Sequence, residues 1–336
     1  MPAIHPARRA SSSIARLVMV RVSAIIPVFN GSATLRQAID SVLHQREVNF
    51  ELIVVDDGST DSTPAIIESY GDRIQRITQS NKGPAAARNL AVRSARGEYL
   101  AFLDADDQWL PGMLQRTAAM LDSDPDCALA YGNLLLVDSD GHSLAAQLIA
   151  EEYAHAPSMD EILAKMWPIM PSASLIRRPA FNACGGFVEE FRGAGFEDAY
   201  LWLSLREQGH FNYIPEPLAV WRFSWFPRPL KVQPFSRDSQ TFARLVKGRY
   251  GIDPSRLVAA RIRATRSILG YAGLRALQRG DRRSARHAFA GALKLDPLRA
   301  RNILRFLRTF LPLRVARSLS GRTANNAELQ VRPPLR

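Results

Sequence analysis

Seven short segments in strict alternation occupy most of residues 22–104 of this chain. From Val22 they read VSAIIPVF, ATLRQAIDSVLHQ, FELIVVDD, STPAIIESYG, IQRITQS, GPAAARNLAVRSARG and EYLAFLD. The odd-numbered segments are short β-rich apolar runs, and the even-numbered ones repeat their apolar residues at helical spacing. Parallel strands need a crossover between them, usually a helix. This order therefore predicts an α/β fold with a mainly parallel central sheet covered on both faces. Runs such as ELIVV are apolar at consecutive positions, as burial on two faces demands. Thr63 before Pro64 reads as an N-cap and first-turn pair for the second helix.

In open α/β sheets, ligands sit outside the carboxyl ends of the strands. Here those ends are chemically loaded: Pro27-Val28-Phe29-Asn30 after the first strand, Asp56-Asp57-Gly58-Ser59 after the second, and Asp104-Ala105-Asp106-Asp107 after the last. Three aspartates within four positions repel one another, and a cation held at the mouth where the strand ends converge would neutralise them. The competing reading is a helix N-cap cluster ahead of QWLPGMLQR, which accounts for one of the three aspartates.

Beyond Trp109 the pattern gives a helix (GMLQRTAAMLDSD), a strand (CALAYGNLLLVD), a turn at Asp140-Gly141 and a less regular stretch up to about Pro234. Pro227, Pro229 and Pro234 place a boundary near residues 230–240, after which the pattern is helical and rich in arginine. The expected organisation is a disordered leader over 1–20, a catalytic α/β domain over 21–235, a basic helical extension over 236–320 and a disordered tail over 321–336. Charge divides in the same way. Residues 241–336 hold 22 Lys and Arg against 4 Asp and Glu, and the first 240 residues hold 22 against 28. An acidic body with a basic appendage points to an enzyme with a surface-binding region. No recognised module interleaves the arginines, so nucleic acid is not an expected partner.

Cys127 and Cys184 are the only cysteines, far apart, and they indicate neither a disulfide framework nor a metal site. No apolar run approaches the roughly 20 residues that span a bilayer. The expected location is the cytoplasm, at most peripheral to the inner face of the plasma membrane. A G-x-G-x-x-G after the first strand, a Walker-type loop and an H-E-x-x-H are all missing, which disfavours a dehydrogenase, a P-loop NTPase and a zincin.

The segments SAIIPVFNGSATLRQAIDSVLHQ, ELIVVDDGSTDST, NKGPAAARNLAVRSARGEYLAFLDADD, GGFVEEF, GFEDAYLWLSLREQG and PEPLAVWR, in this order over about residues 22–225, resemble glycosyltransferase family 2. The resemblance implies a GT-A fold and inverting transfer of a sugar from a nucleoside-diphosphate donor, with UDP as the expected nucleotide. The implied acceptor is a hydroxyl of a glycan or lipid-linked molecule in cell-surface polysaccharide or glycolipid synthesis. It also implies Mg²⁺ or Mn²⁺ as the ion. On the family's motifs, Asp106 is the metal ligand with Asp107 as a supporting carboxylate, and Asp104 bonds the ribose. Asp56 and Asp57 recognise the nucleotide, with Pro27 and Phe29 as an edge and a wall beside the base. Lys82 and Arg88 are the basic residues toward the diphosphate or the base. Asp198 is the general base, with Glu197 supporting it or orienting the acceptor.

Two positions depart from the family pattern. Ser204 stands where an arginine often follows the E-D pair, with Arg206 two positions on. VWRFS offers Arg222 and Ser224 where some members carry a histidine near the diphosphate, which leaves Arg222 as the candidate there. These departures keep open a rival reading, a catalytically silent nucleotide-sugar-binding protein that acts through its helical tail.

In the extension, LQRGDRRSARHAFAGALKLDP resembles the second half of one tetratricopeptide repeat. One unit is too few for an independent array, so a helical hairpin docked on the catalytic body is expected. Downstream, RNILRFLRTFLPLR places Ile303, Leu304, Leu307, Phe310 and Leu311 on one helical face, with Arg301, Arg305 and Arg308 opposite. Such a helix either lies on an anionic membrane surface or packs its apolar stripe on the protein and leaves the arginines in water.

Overall fold

A computed structural model describes residues 20–138, 141–145, 147, 149, 153, 155–164, 167–192, 196–223, 237–312 and 314–315. The expected leader and tail, the proline-marked boundary, Asp140 and Ser224 lie outside the described residues, apart from Val20 at the leader's end.

One nine-stranded sheet organises the body. Its strands are β1 (Val22–Val28), β2 (Phe50–Asp56), β3 (Gln75–Thr78), β4 (Tyr99–Phe102), β5 (Gln108–Trp109), β6 (Cys127–Asp138), β7 (Ser143–Ala145), β8 (Ser174–Arg177) and β9 (His210–Phe223), in spatial order 3-2-1-4-8-6-9-5 with β7 beside β6. Strands 3-2-1-4 pair in parallel. From β8 the sheet is mixed, because β8 runs antiparallel to both β4 and β6 while β6 and β9 pair in parallel. The fold is thus the expected α/β architecture, with its parallel character concentrated in the first half.

Helices α1 (Leu35–Leu43), α2 (Thr63–Glu68), α3 (Pro84–Ser94) and α4 (Met113–Ser123) provide the early crossovers and cover. In α1, Leu35, Ala38, Ile39 and Val42 recur at i, i+3, i+4 and i+7, and all four are buried. The expected cap of α2 is different. Thr63 is the first helical residue rather than the N-cap, and its hydroxyl accepts from Gly31 N at 2.9 Å. The hydroxyl thereby fixes the turn after β1, and Asp61 Oδ1 accepts from Thr63 N instead at 3.0 Å.

The second half adds α5 (Met159–Ala164), α6 (Arg178–Ala183) and α7 (Phe196–Arg206). The extension forms α8 (Arg237–Tyr250), α9 (Ser255–Arg279), α10 (Arg282–Leu295) and α11 (Ala300–Arg308). Helices α9 and α10 make a hairpin. Gly280 adopts φ 89° after α9, and Asp281 caps α10 by accepting from Ser284 N at 3.0 Å. Gly273 lets α10 approach closely, since a Cβ there would lie 2.6 Å from the Phe289 ring.

The hairpin is not an independent unit. Ala272, Leu277 and Phe289 belong to the same apolar core as Val22, Leu134 and Leu136. The buried carboxylate of Asp138, at the end of β6, accepts from Arg279 Nη2. Removing one partner of such a pair leaves a buried charge uncompensated. Asp138 Oδ1 still accepts from His142 N at 2.8 Å, so Arg279→Ala is expected to cost about 1–3 kcal/mol, read from the denaturant midpoint, and the double variant Asp138→Asn/Arg279→Ala is expected to recover part of that loss.

Candidate active site

The tips of β1, β2 and β4 meet the start of α7 where β1 and β4 part. Pairing of β1 with β4 ends at Ile25–Phe102, whereas pairing with β2 runs on to Val28–Asp56. The chain lays β2 and β3 on one side of β1 and β4 on the other, so the gap lies at a topological switch point. Ile25 O accepts from Leu103 N at 2.9 Å. Pro27, two residues on, faces the same side, where β4 has turned away, so its missing N–H leaves no ladder bond unmade. Phe29 is 43% exposed, an aromatic surface at the mouth. Asn30 adopts φ 51°, and the turn is held by Asn30 N donating to Ser59 Oγ at 2.9 Å and Thr60 N donating to Asn30 Oδ1 at 2.8 Å.

Asp56 and Asp57 are both buried. Asp56 Oδ1 accepts from Ser59 N at 2.9 Å and closes the turn. Asp57 organises the next loop: Oδ1 accepts from Gln79 Nε2 at 2.7 Å and from Lys82 N at 2.8 Å, and Oδ2 accepts from Gly83 N at 2.8 Å. Gly83, with φ 93°, is the N-cap of α3. Lys82 is exposed, and its carbonyl accepts from Arg192 Nη1 at 2.6 Å.

Helix α3 carries Arg88 inward, one turn from this cap. The residue is 4% exposed, lies 5.1 Å from the Phe187 ring centroid, and donates through Nη2 to Asp104 Oδ1 at 2.6 Å. Its Nη1 is 3.7 Å from Glu197 Oε1. One guanidinium thus joins the carboxylates after β4 to the acid pair that opens α7. Burial opposes its charge, but Asp104 and Glu197 outweigh that and hold the pKa above the ordinary arginine value. Among the described residues no group hydrogen-bonds Arg88 Nε, Arg88 Nη1 or Glu197 Oε2, although all three atoms are buried.

Ligand oxygens of Asp104, Asp106 and Asp107 lie within 4.8 Å of one another. Asp107 is buried, with Oδ2 accepting from Ser172 Oγ at 2.5 Å and Oδ1 from Arg222 N at 3.0 Å. Burial, then repulsion by Asp106 and Asp104, push its pKa well above the usual carboxylate range. Arg222, on β9, clamps the same loop. Its Nε donates to the Asp106 carbonyl at 3.2 Å, and its Nη2 donates to Gln37 Oε1 at 2.9 Å.

At the start of α7, Asp198 is buried and its Oδ1 accepts from its neighbour's N–H, Ala199 N, at 2.7 Å. Burial raises its pKa to about 7. Arg261 opposes the rise, Glu197 adds to it, and the Ala199 N–H and Arg88 oppose it. Arg261 lies on α9, one turn beyond Leu257, which packs in the same apolar core as Phe196 and Ala199. The Phe196 and Phe242 rings, from α7 and α8, are 5.1 Å apart. The extension therefore backs the helix that carries the acid pair.

Contacts link Asp104, Asp106, Asp107, Arg88, Arg222, Glu197 and Asp198 into one cluster. Pro27, Phe29, Asp56 and Asp57 lie at the ends of β1 and β2, and Lys82 in the loop after β3. The sequence reading missed Ser172, Gln79, Phe187 and Arg261. Gln79 follows the third strand, a position that could have drawn notice. Ser172 and Arg261 come from distant chain segments, and no local pattern marks them. At the departure from the family pattern, Ser204 is buried and accepts from Arg249 Nη1 at 3.3 Å, so a guanidinium from α8 is supplied there.

Comparison with known proteins places this geometry. The model of the family "Glycosyl transferase family 2" matches residues 23–185. The putative glycosyltransferase EpsE of Bacillus subtilis is 33% identical over 200 residues, which are 57% of this chain and 69% of that protein. An uncharacterized glycosyltransferase of Rickettsia typhi is 40% identical over 124 residues, 37% of this chain and 39% of the relative. The chain thus spans about two fifths of that relative's length. Among solved structures, S. aureus TarS 1-349 in complex with UDP-GlcNAc superposes with a TM-score of 0.56 at 17% identity, over 86% of this chain and 90% of that one. The mannosyltransferase PcManGT of Pyrobaculum calidifontis, in complex with GDP-Man and Mn²⁺, gives 0.51 at 19% identity, over 92% and 87%. At these identities the structural likeness establishes the shared fold. On the family match and the extent of the EpsE relationship, the chain belongs to glycosyltransferase family 2.

Proposed function

We propose that this chain transfers a sugar from a nucleoside-diphosphate donor, UDP as the nucleotide, to a hydroxyl acceptor of a glycan or lipid-linked molecule, with inversion at the anomeric carbon. The observation that carries the reading is the single network in which Arg88 links Asp104 to Glu197, beside a base candidate whose pKa burial raises to about 7. Two neighbours lend support by what their names record: one holds UDP-GlcNAc, the other GDP-Man with Mn²⁺. A relative from Bacillus subtilis, 35% identical over 140 residues (40% of this chain and 53% of that protein), bears the name putative teichuronic acid biosynthesis glycosyltransferase TuaG, which supports a polysaccharide-type acceptor.

The donor set after β4 fits Mg²⁺ or Mn²⁺. Three carboxylates crowd together, and their mutual repulsion is what a hard divalent cation relieves. Asp106 and Asp107 would hold the ion, which when bound supplies neutralising charge to the departing diphosphate. The chain's own residues do the rest. Asp107, held by Ser172 and Arg222, fixes the loop, and Asp104 is set by Arg88 to face the ribose. Phe29 and Pro27 flank the base, and Asp56 and Asp57 shape the loops that recognise it. Asp198 takes the acceptor hydroxyl proton as the nucleophile attacks. Glu197, paired with Arg88, helps raise the Asp198 pKa and so supports the base.

Incubation with a panel of UDP-, GDP- and dTDP-sugars plus Mn²⁺ is expected to show slow donor hydrolysis with one nucleotide class, the UDP-sugars. Binding of a donor with no turnover toward water or any hydroxyl acceptor would favour the silent, scaffold reading.

A further inference from the structure

Helix α11 is docked inside out. Its inward residues are Asn302, Phe306 and Thr309. Asn302 Nδ2 donates to the carbonyls of Ala292 and Asp296 at 3.2 Å, and Arg282 Nε donates to the Thr309 carbonyl at 3.1 Å. The apolar stripe faces outward: Leu304 is 56% exposed, Leu307 54% and Phe310 55%, with Leu298 at 92% just before the helix. Among the described residues, the exposed large apolar side chains all lie between Leu298 and Val315 except Phe29 at the candidate active site. A soluble surface does not ordinarily concentrate apolar side chains in this way without something to cover them.

Charge identifies the cover. The stretch from Leu298 to Val315 contains five arginines, at 299, 301, 305, 308 and 314, and no Asp or Glu. Burial against α9, where a Cβ on Gly270 would lie 2.6 Å from Arg305 Nη1, and then the nearby Arg301, Arg308 and Arg299 lower the Arg305 pKa to about 10, so the exposed Arg299 and Arg301 carry the outward charge. A second copy docked through the same patch would set this cluster against its own image. The chain's remaining residues, 316–336, are polar and contribute four more arginines against one glutamate, so they suit the role no better. A surface that is apolar beneath and dense in anions above meets both demands.

We propose that α11 and its flanks, from Leu298 to Leu311, form a docking face for an anionic lipid bilayer, with Leu304, Leu307 and Phe310 entering the acyl boundary and the exposed Arg299 and Arg301 meeting lipid phosphates. This holds independently of which sugar or acceptor the active site uses.

The test is sedimentation of the full chain with vesicles of phosphatidylcholine alone or with 30% phosphatidylglycerol. Anionic vesicles are expected to bind at least tenfold more tightly. Leu304→Ser/Leu307→Ser and Arg299→Glu/Arg301→Glu are each expected to lose at least tenfold of that affinity while keeping the wild-type melting profile, since all four side chains are exposed. Vesicle binding that is absent, equal for the two compositions or unaffected by both double variants overturns the proposal. So does a dimer in light scattering that Leu304→Ser/Leu307→Ser dissociates, which would assign the face to a second copy. Donor hydrolysis unchanged in all variants separates failure here from failure of the catalytic reading.

Discussion

Replacing Asp198 with Asn is expected to lower kcat by about 10³-fold, within the range attributed to a positioned general base, while leaving donor affinity within a few fold of wild type. The side chain is buried at the first turn of α7, and Asn keeps its shape and its acceptor toward Ala199 N, so the loss reports on proton transfer and not on folding. The pH dependence follows from the same burial. The base works deprotonated, and its pKa is raised to about 7, so kcat/KM should climb with pH through about 7 and fall on the acid side. Arg261 favours the charged form and Glu197 disfavours it. Arg261→Gln should therefore move that limb to higher pH, and Glu197→Gln should move it to lower pH. A profile that is flat from pH 5 to 9, or an Asp198→Asn enzyme of near wild-type kcat, removes Asp198 from the base role.

The second large effect concerns the ion. Asp106→Ala, or removal of divalent metal by chelation, is expected to reduce transfer by on the order of 10²–10³-fold, the scale of losing one preorganised electrostatic group at a developing charge. Restoring Mn²⁺ or Mg²⁺ should rescue the chelated wild type and not the variant. In Asp107→Asn, the amide keeps an acceptor for Arg222 N and a partner for Ser172 while removing a charge that burial, Asp106 and Asp104 disfavour, so this variant is expected to lose activity without losing thermal stability. A variant at Asp106 that still responds to metal would shift the ligand assignment to Asp104 or Asp107.

Much of this cluster is legible in the sequence alone. Strand-ending residues announce themselves by position, and Asp56, Asp57, Asp104, Asp106 and Asp107 all follow an apolar run that burial on two faces requires. What the sequence hid was tertiary. It showed Arg88 as a helix arginine near the mouth and could not show that α3 turns it inward to link two acidic elements. Nor could it show that Asp57 uses its oxygens on the Gln79–Gly83 loop. The 14-residue strand β9 went unread because Pro215 and Pro217 interrupt its pattern. The ladder absorbs them through register shifts around Gly132 and Asn133, and Gly132 leaves room for Leu218, whose Cγ would be 2.5 Å from a Cβ there. In the extension the amphipathic pattern of α11 was plain, but periodicity does not say which face turns outward. Asn302 and Thr309 decide it, by spending their hydrogen-bonding groups against α10 and its flanks.

The proposed chemistry rests on Asp104, Asp106 and Asp107, in the one loop after β4, gathering a divalent ion that holds a diphosphate. Calorimetric titration of UDP into wild-type and Asp106→Ala protein, with and without Mn²⁺, tests this most directly. UDP should bind wild type at least tenfold more tightly when Mn²⁺ is present, and Asp106→Ala should lose that gain. Equal UDP affinity with and without the ion in the wild type would contradict it.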